Sequence, residues 1–131
     1  MSMKINCSIL TPDRVLYEGQ VHFAVVQAYD GEVGFLFNHA PFVSELGVGE
    51  VRLRTGDLTE YLVVEGGFVE MRDNHLTLLA ETALKKEDLN RSELEKSLNE
   101  FLSKKSESPE ERIRLEVEVR RLKARVKVAS H

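Results

Sequence analysis

The sequence has little of what catalytic and metal-binding sites are usually built from. It contains one cysteine, Cys7, no tryptophan, no phosphate-cradling glycine loop and no nucleophile elbow. A single cysteine can form neither an internal disulfide nor a thiolate metal cluster, which fits a reducing compartment. Because Cys7 alternates with Ile5 and Ile9 in a strand-like stretch, we expect a buried structural thiol.

The histidines do not supply a metal site either. His22, His39, His75 and His131 have no cysteine or carboxylate at ligand spacing on a shared element. The order of the serine, histidine and aspartate residues does not indicate a catalytic triad. We therefore expect no catalytic, metal or cofactor site, and an enzyme acting alone is disfavoured.

An excess of positive charge and a long apolar run are also missing. The chain has 18 basic and 22 acidic side chains and a formal charge of -4, which argues against nucleic-acid binding. No segment approaches the roughly 20 apolar residues that span a bilayer, and the N-terminus has no apolar signal core. We expect any membrane association to go through a partner protein.

Glycine divides the chain into two parts. All eight glycines and two of the three prolines precede Lys85, and no glycine follows it. This change in composition predicts a β domain over residues 1–85 and a helical tail over residues 86–131.

Short apolar segments between turn residues predict strands in the first part. The alternation of Val51 and Leu53 with Arg52 and Arg54 indicates one buried and one solvent-exposed face. The prediction is a flattened, mostly antiparallel β-sandwich or barrel with turns at Asp30-Gly31, Thr55-Gly56-Asp57 and Asp73-Asn74. The predicted strands are Lys4–Thr11, Val15–Tyr17, Val21–Tyr29, Val33–Phe37, Phe42–Leu46, Val51–Arg54, Tyr61–Val64, Phe68–Arg72 and Leu76–Leu79.

Two helix-start signals predict an antiparallel two-helix hairpin in the tail. Asn90 followed by Glu93 forms a capping box, and Ser108-Pro109 with two glutamates after it restarts the pattern after a polar break. The stretch Ile113–Val119 also alternates with period two, as a strand would, but the proline-capped start and Glu/Arg pairs four residues apart favour a helix.

The second predicted helix has two apolar stripes on opposite sides. One stripe can pack on the first helix, whereas the other meets either the β domain of the same chain or another subunit. The stripes are Leu115, Val119, Leu122 and Val126, and Ile113, Val117, Ala124 and Val128. From Arg120 to His131 the chain is basic with no acidic residue, which indicates either a solvated helix end or a docking site for an acidic partner.

Four blocks of sequence resemble, in order, those of ATP synthase epsilon subunits. The blocks are Leu10–Gly19, Asp30–Pro41, Glu65–Glu70 and Leu78–Ala83. The resemblance covers nearly the whole chain. It implies a flattened sandwich of about ten strands that binds the gamma subunit and sits on the c-ring, with a helical hairpin that reaches toward the alpha/beta catalytic hexamer. It also implies a non-catalytic rotor subunit that couples proton-driven rotation to ATP synthesis, with a tail that restrains ATP hydrolysis.

Particular positions follow from the same resemblance. Glu32 and His39 match positions that face the polar loop of the c-ring, and a carboxylate and an imidazole suit such hydrogen bonding. The alternative for His39 is a turn residue that orders its neighbouring proline. Arg120, Arg121, Lys123 and Arg125 match the segment that docks electrostatically on an acidic loop of the beta subunit. The implied location is the cytoplasmic face of the bacterial plasma membrane, since the transit segment of a mitochondrial form is not seen.

The chain departs from the family in two places. Many relatives have Pro-Gly where Phe37-Asn38 stands, but asparagine tolerates the left-handed backbone that the turn needs. Relatives that bind ATP pair an aspartate with an arginine where this chain has Asn90 and Glu93, so weak or no ATP binding is expected. Two other classes stay open: a free-standing β-sandwich recognition module, and an isolated regulatory protein with a helical arm for an acidic partner.

Overall fold

A computed structural model describes residues 3–131 as a β body followed by two helices. The body contains eight strands in one sheet of order β2-β1-β8-β7-β6-β3-β4, with β5 paired to β7. The sheet folds around one core, so the sandwich-like body and helical tail are confirmed. The strands are β1 (Ile5–Leu10), β2 (Val15–Val21), β3 (Phe23–Ala28), β4 (Gly31–Phe35), β5 (Phe42–Glu45), β6 (Val48–Thr55), β7 (Leu58–Arg72) and β8 (His75–Lys85).

All strand pairs are antiparallel except β1 with β8. The three predicted turns join β3 to β4, β6 to β7 and β7 to β8. β1 and β8 are the first and last strands of the body in the sequence. No hairpin joins them directly, so they are free to pair in parallel.

A bend in β7 explains why eight strands are found where the sequence predicted nine. Two predicted strands, Tyr61–Val64 and Phe68–Arg72, are one strand that turns at Gly66-Gly67. Before the bend β7 pairs with β6, and after it with β5 in the same register. The backbone amide of Leu46 donates to the Gly67 carbonyl at 2.8 Å across the bend. The glycines therefore redirect the strand without ending it.

The core lies wholly within the body. The buried cluster runs from Ile5 to Ala83 and includes Cys7. Its largest fully buried side chains include Phe35, Ile5, Ile9, Leu53, Leu62, Met71, Leu76 and Leu78.

The tail contains α1 (Arg91–Leu102) and α2 (Pro109–Ala129), after a short 3-10 turn at Lys86–Asp88. The Asn90 side chain accepts a hydrogen bond from the Glu93 amide, and Ser108 accepts one from the Glu111 amide, so both predicted caps are confirmed. The helices pack on each other, and α2 also packs on β6 and β7. Residues 113–119 are helical, which rules out the period-two alternative.

The two predicted stripes of α2 have different environments. Leu115, Val119, Leu122 and Val126 are half-buried along their length. On the second stripe Val128 is fully buried, whereas Ile113 and Val117 are exposed. The C-terminal end of α2 thus lies on its own β body, and the N-terminal end leaves an apolar edge uncovered.

Candidate functional site

Glu32 and His39 lie on β4 and on the turn that follows it. The Glu32 side chain is exposed and accepts a hydrogen bond from Arg52 Nη1 on β6 at 3.0 Å. The His39 ring is half-buried, with its centroid 5.0 Å from that of Phe35 and 6.4 Å from that of Phe42. Packing on the core fixes the His39 ring at the surface while Glu32 stays open to solvent.

The turn before His39 is built as its asparagine allows. Asn38 has φ of 64°, and its amide donates to Asn74 Oδ1 at 2.6 Å. Asn74 Nδ2 returns a hydrogen bond to Asn38 Oδ1 at 3.2 Å. The loop between β4 and β5 is therefore tied to the turn between β7 and β8, and the expected tolerance for left-handed backbone is confirmed.

The body also carries an outer apolar strip, defined here as Leu10, Val43, Phe68 and Leu79. Val43, Phe68 and Leu79 are 70%, 57% and 53% exposed. Phe68 and Leu79 are direct cross-strand partners, and Leu79 faces Leu10 on β1. An open groove of about 420 Å³ runs beside Phe68 and Leu79. The sequence contains a signal for this strip. Phe68 lies on the same face of β7 as Glu70 and Arg72, which are charged, so an exposed phenylalanine is expected there.

Two of the four expected docking cations are engaged with the body. Arg125 donates a bidentate pair of hydrogen bonds to Glu65 on β7. Its Nε lies 2.6 Å from Oε2 and its Nη2 lies 2.9 Å from Oε1. Arg121 Nε donates to Glu65 Oε1 at 3.0 Å. Glu65 is only 6% exposed, so these are charge-assisted hydrogen bonds at a largely dehydrated carboxylate. We call this three-residue contact the Glu65 latch.

Opposing effects set the charge of Glu65. Burial acts to raise the pKa of the Glu65 carboxyl, but the hydrogen bonds and charges of Arg125 and then Arg121 outweigh it and lower that pKa below its ordinary value. The hydrogen bond to Glu65 raises the pKa of Arg125 above its usual value, against the opposing effect of burial. The latch is therefore an ion pair at neutral pH.

A second contact anchors the C-terminal end of the tail. Glu50 on β6 is 3% exposed, and its Oε2 lies 3.3 Å from Lys127 Nζ and 3.1 Å from Arg52 Nη1. Its Oε1 is in contact with His131 Nε2. The His131 ring stacks on Tyr61 with centroids 3.8 Å apart. We call this the Glu50 anchor.

Glu50 and Glu65 are not among the functional residues that the sequence predicts. The available signal was a glutamate within otherwise apolar strand segments, such as Glu65 after Leu62, Val63 and Val64. A carboxylate in such a place needs a counter-charge.

The other two of the predicted docking cations take no part in the Glu65 latch. Arg120 and Lys123 are exposed and form no ion pair within residues 3–131. They line a groove of about 480 Å³ between the helices, with an apolar floor and two further cations at its edge. The other lining residues include Phe101, Leu115, Val119, Lys104 and Arg112. The four cations therefore form two pairs, one held by the body and one exposed to solvent.

The start of α1 is occupied by its own cap. Asn90 Oδ1 accepts from both the Glu93 amide at 3.1 Å and the Ser92 hydroxyl at 3.0 Å. No group of three metal-ligating side chains occurs in the part of the chain that the structure describes. Neither α1 nor α2 is long and apolar enough to cross a membrane.

Residues 4–86 match the family described as ATP synthase, Delta/Epsilon chain, beta-sandwich domain. The chain is 37% identical over 127 residues to the ATP synthase epsilon chain of Leptospira borgpetersenii serovar Hardjo-bovis, covering 97% of this chain and 96% of the relative. It is 32% identical over 130 residues to the chloroplastic epsilon chain of Solanum lycopersicum, covering 98% of each.

Solved structures show the same fold. A chain of the Euglena gracilis mitochondrial ATP synthase superposes with a TM-score of 0.86 at 22% identity, covering 100% of this chain and 84% of that one. A chain of the Tetrahymena thermophila mitochondrial ATP synthase, from a structure of its central stalk and c-ring, gives a TM-score of 0.70 at 11% identity, covering 98% of each. At these identities the likeness concerns the arrangement of the body and helices.

Proposed function

The chain belongs to the family of ATP synthase epsilon chains, non-catalytic central-stalk subunits of F-type ATP synthase, and we propose which of its surfaces meet which partners. In this proposal the β body docks on the gamma subunit and on the c-ring. The helical tail alternates between the body and the alpha/beta catalytic hexamer, where it restrains ATP hydrolysis.

The observation that carries the proposal is how the tail is attached. The buried cluster of the body contains no residue of the helices, and Val128 is the one buried residue of α1 and α2. Two buried carboxylates of the body, in the Glu65 latch and the Glu50 anchor, pair with cations of α2, and the His131 ring stacks on Tyr61. Ionic contacts can be exchanged for other ionic contacts at little net cost, so the tail suits a reversible arm.

The two states exclude each other at the residue level. Arg121 and Arg125 cannot pair with Glu65 and with an acidic surface of the beta subunit at the same time. Arg120 and Lys123 are open while the tail is docked, so they are placed to make the first contact with that surface. Release of the latch then supplies the other two cations.

The gamma subunit is assigned to the outer apolar strip. Phe68 on β7 and Leu79 on β8 are cross-strand partners, and Val43 on β5 lies diagonally across from Phe68, so three exposed apolar side chains lie on adjacent strands, which is typical of a protein interface. Glu32 lies on β4 and His39 on the turn that follows it, and both are assigned to the c-ring, because an exposed carboxylate and a fixed imidazole suit a polar loop.

Replacing Phe68 with glutamate tests the gamma assignment. A charge buried in an apolar interface costs several kcal/mol, so we expect binding to purified gamma to weaken by roughly a hundredfold or more in a titration. The matched control is Leu58→Glu, at an exposed apolar position at the other end of β7. Equal binding of Phe68→Glu and Leu58→Glu would place gamma on another surface.

Removal of residues 86–131 tests the role of the tail. We expect the β body to assemble into the complex, because its core is intact, and ATP hydrolysis by the complex to become several times faster. The matched variant is the full chain with Arg120→Glu and Lys123→Glu, which keeps the helices and reverses the two open charges. Unchanged hydrolysis in both complexes would reject an inhibitory tail.

The location follows from these contacts. We infer that the chain is peripheral, held at the cytoplasmic face of a bacterial plasma membrane through gamma and the c-ring, and that its rotation is driven by proton flow. Fractionation of membranes before and after removal of gamma checks this, since the chain is expected to leave the membrane together with gamma.

A further inference from the structure

One arginine links the two surfaces that the proposed function treats as separate. Arg52 Nη1 donates to Glu32 Oε2 at 3.0 Å and to Glu50 Oε2 at 3.1 Å. Glu32 is exposed on β4, whereas Glu50 is buried on β6 beneath the end of α2. One guanidinium nitrogen of Arg52 therefore interacts with two carboxylates, the solvent-exposed Glu32 and the buried Glu50 that anchors the tail.

We propose that Arg52 couples the occupancy of Glu32 to the docking of the helical tail, so that a partner that neutralises Glu32 weakens the Glu50 anchor. The identity of that partner as the c-ring rests on the proposed function. The coupling itself rests on the positions of Arg52, Glu32, Glu50 and Lys127.

The sign of the coupling follows from counting charges. With the tail released, Glu32 and Glu50 share one cation, Arg52, so the cluster has one uncompensated negative charge. Docking brings Lys127 to 3.3 Å from Glu50 and compensates it, with His131 at the other oxygen. If Glu32 is neutralised, Arg52 alone balances Glu50, and Lys127 becomes an excess positive charge.

Geometry acts in the same direction as charge. When Glu32 no longer accepts from Arg52, the guanidinium is free to direct its hydrogen bonds to Glu50 alone. Glu50 then depends less on Lys127 for its counter-charge. Loss of Arg52 should do the opposite, because Glu50 would then rely on Lys127 and His131.

The size of the effect is limited by solvent. The Arg52 and Glu32 side chains are 32% and 44% exposed, so water screens part of their interaction. We expect a change of about two- to fivefold in the ratio of docked to released tail. By thermodynamic reciprocity, a docked tail weakens the contact at Glu32 by the same factor.

The test is a double-mutant cycle in the free full-length chain. Donor and acceptor dyes are attached at Asp13→Cys on the β1–β2 loop and Ser103→Cys after α1, since the native Cys7 is buried. Single-molecule energy transfer is recorded at the temperature where the parent chain is docked half the time. The variants are Glu32→Gln, Arg52→Gln and both together, with Glu18→Gln on β2 as the matched loss of one exposed carboxylate.

The proposal predicts a specific pattern. Glu32→Gln lowers the docked-to-released ratio about two- to fivefold, Arg52→Gln raises it, and Glu32→Gln has no effect once Arg52 is replaced. A Glu32→Gln shift no larger than that of Glu18→Gln overturns the proposal. So does an equal Glu32→Gln effect with and without Arg52, because the coupling would then bypass the arginine. Hydrogen exchange of the body strands in each sample confirms that the body is folded.

A second measurement separates this coupling from the c-ring assignment. In the reconstituted ATP synthase, the labelled parent chain should release its tail more than the free chain does, and Arg52→Gln should reduce that difference. If the cycle in the free chain shows coupling but Glu32→Gln leaves attachment to the c-ring unchanged, the coupling stands and the c-ring role of Glu32 fails. If the free chain shows no coupling, the proposal fails whatever Glu32 contacts.

Discussion

Glu65 shows what a buried charge does in this molecule. It follows three buried apolar residues on β7 and is itself 6% exposed, so its carboxylate has lost most of its hydration. The planar fork of Arg125 replaces water with two parallel hydrogen bonds, and Arg121 adds a third. A carboxylate that needs both arginines makes the position of α2 specific, because no other register brings the two guanidinium groups to it.

The sequence identified one side of this contact and missed the other. Arg121 and Arg125 belong to a basic run, which indicates either a solvated helix end or a docking site for an acidic partner. Glu65 is 56 and 60 residues away from them along the chain. Periodicity and local spacing carry no information about a pair of residues so far apart in the chain. The sequence therefore predicts a basic surface on α2 but does not show that Glu65 is its partner.

The Cys7 thiol gives a prediction at the scale of one side chain. It is 1% exposed, and burial raises its pKa to about 12. The thiolate is the reactive form, so at pH 8 its fraction should be about a thousandfold or more below that of a free cysteine. We expect the native chain to react with a thiol reagent at least a hundredfold more slowly than the urea-unfolded chain. Rapid stoichiometric labelling of the native chain would contradict this.

At the scale of elements, local signals predicted the ends of the helices better than the number of strands. Asn90 and Ser108 cap the helices where expected, because a cap depends on residues within one turn. Eight strands are found where nine are predicted, because β7 continues through Gly66-Gly67, which lies between the predicted strands Tyr61–Val64 and Phe68–Arg72. Glycine permits either outcome, and the pairing of β7 with β5, β6 and β8 decides between them.

The bend in β7 predicts which glycine the fold requires. Gly67 has φ of 112°, and a Cβ there would lie 2.0 Å from the Leu79 carbonyl oxygen. Gly67→Ala should therefore lower the free energy of unfolding by roughly 2–4 kcal/mol, measured by urea denaturation.

The matched control for the bend is Gly56 in the β6–β7 turn. It also has a positive φ, 62°, but a Cβ would meet nothing within 4 Å. Gly56→Ala should cost only about 1 kcal/mol, since it tests the backbone conformation without the collision. Equal losses for the two variants would mean that the collision at Gly67 is relieved by movement of β8.

At the scale of the whole molecule, the β body and the helical tail are held in place by different kinds of contact. The β body is held by a continuous apolar core, whereas the contacts of the tail with the body include Val128, the stack of His131 on Tyr61 and ion pairs with carboxylates on β6 and β7. Apolar burial responds little to pH, but ion pairs respond strongly. Acid should therefore release the tail before it unfolds the body.

The Glu65 latch fixes the direction of this pH dependence. In the docked chain the pKa of Glu65 lies below its ordinary value of 4.5, and in the released chain it should return to that value. A group with a depressed pKa in the docked state contributes its full stabilisation above pH 4.5. That contribution is lost as the pH falls below 4.5 and through the docked-state pKa.

Energy transfer between the same two dye positions, recorded from pH 7 to pH 3, measures this loss against two variants. Glu65→Gln should lower the docked-to-released ratio at pH 7 by roughly ten- to a hundredfold, since hydrogen bonds to a charged group contribute about 1.5–3 kcal/mol. It should also remove the part of the acid response that belongs to Glu65. Glu60→Gln, an exposed glutamate on the same strand, should leave both unchanged. If the parent chain and Glu65→Gln lose docking equally between pH 5 and pH 3, the carboxylate is not the latch, and the two arginines hold the tail by packing alone.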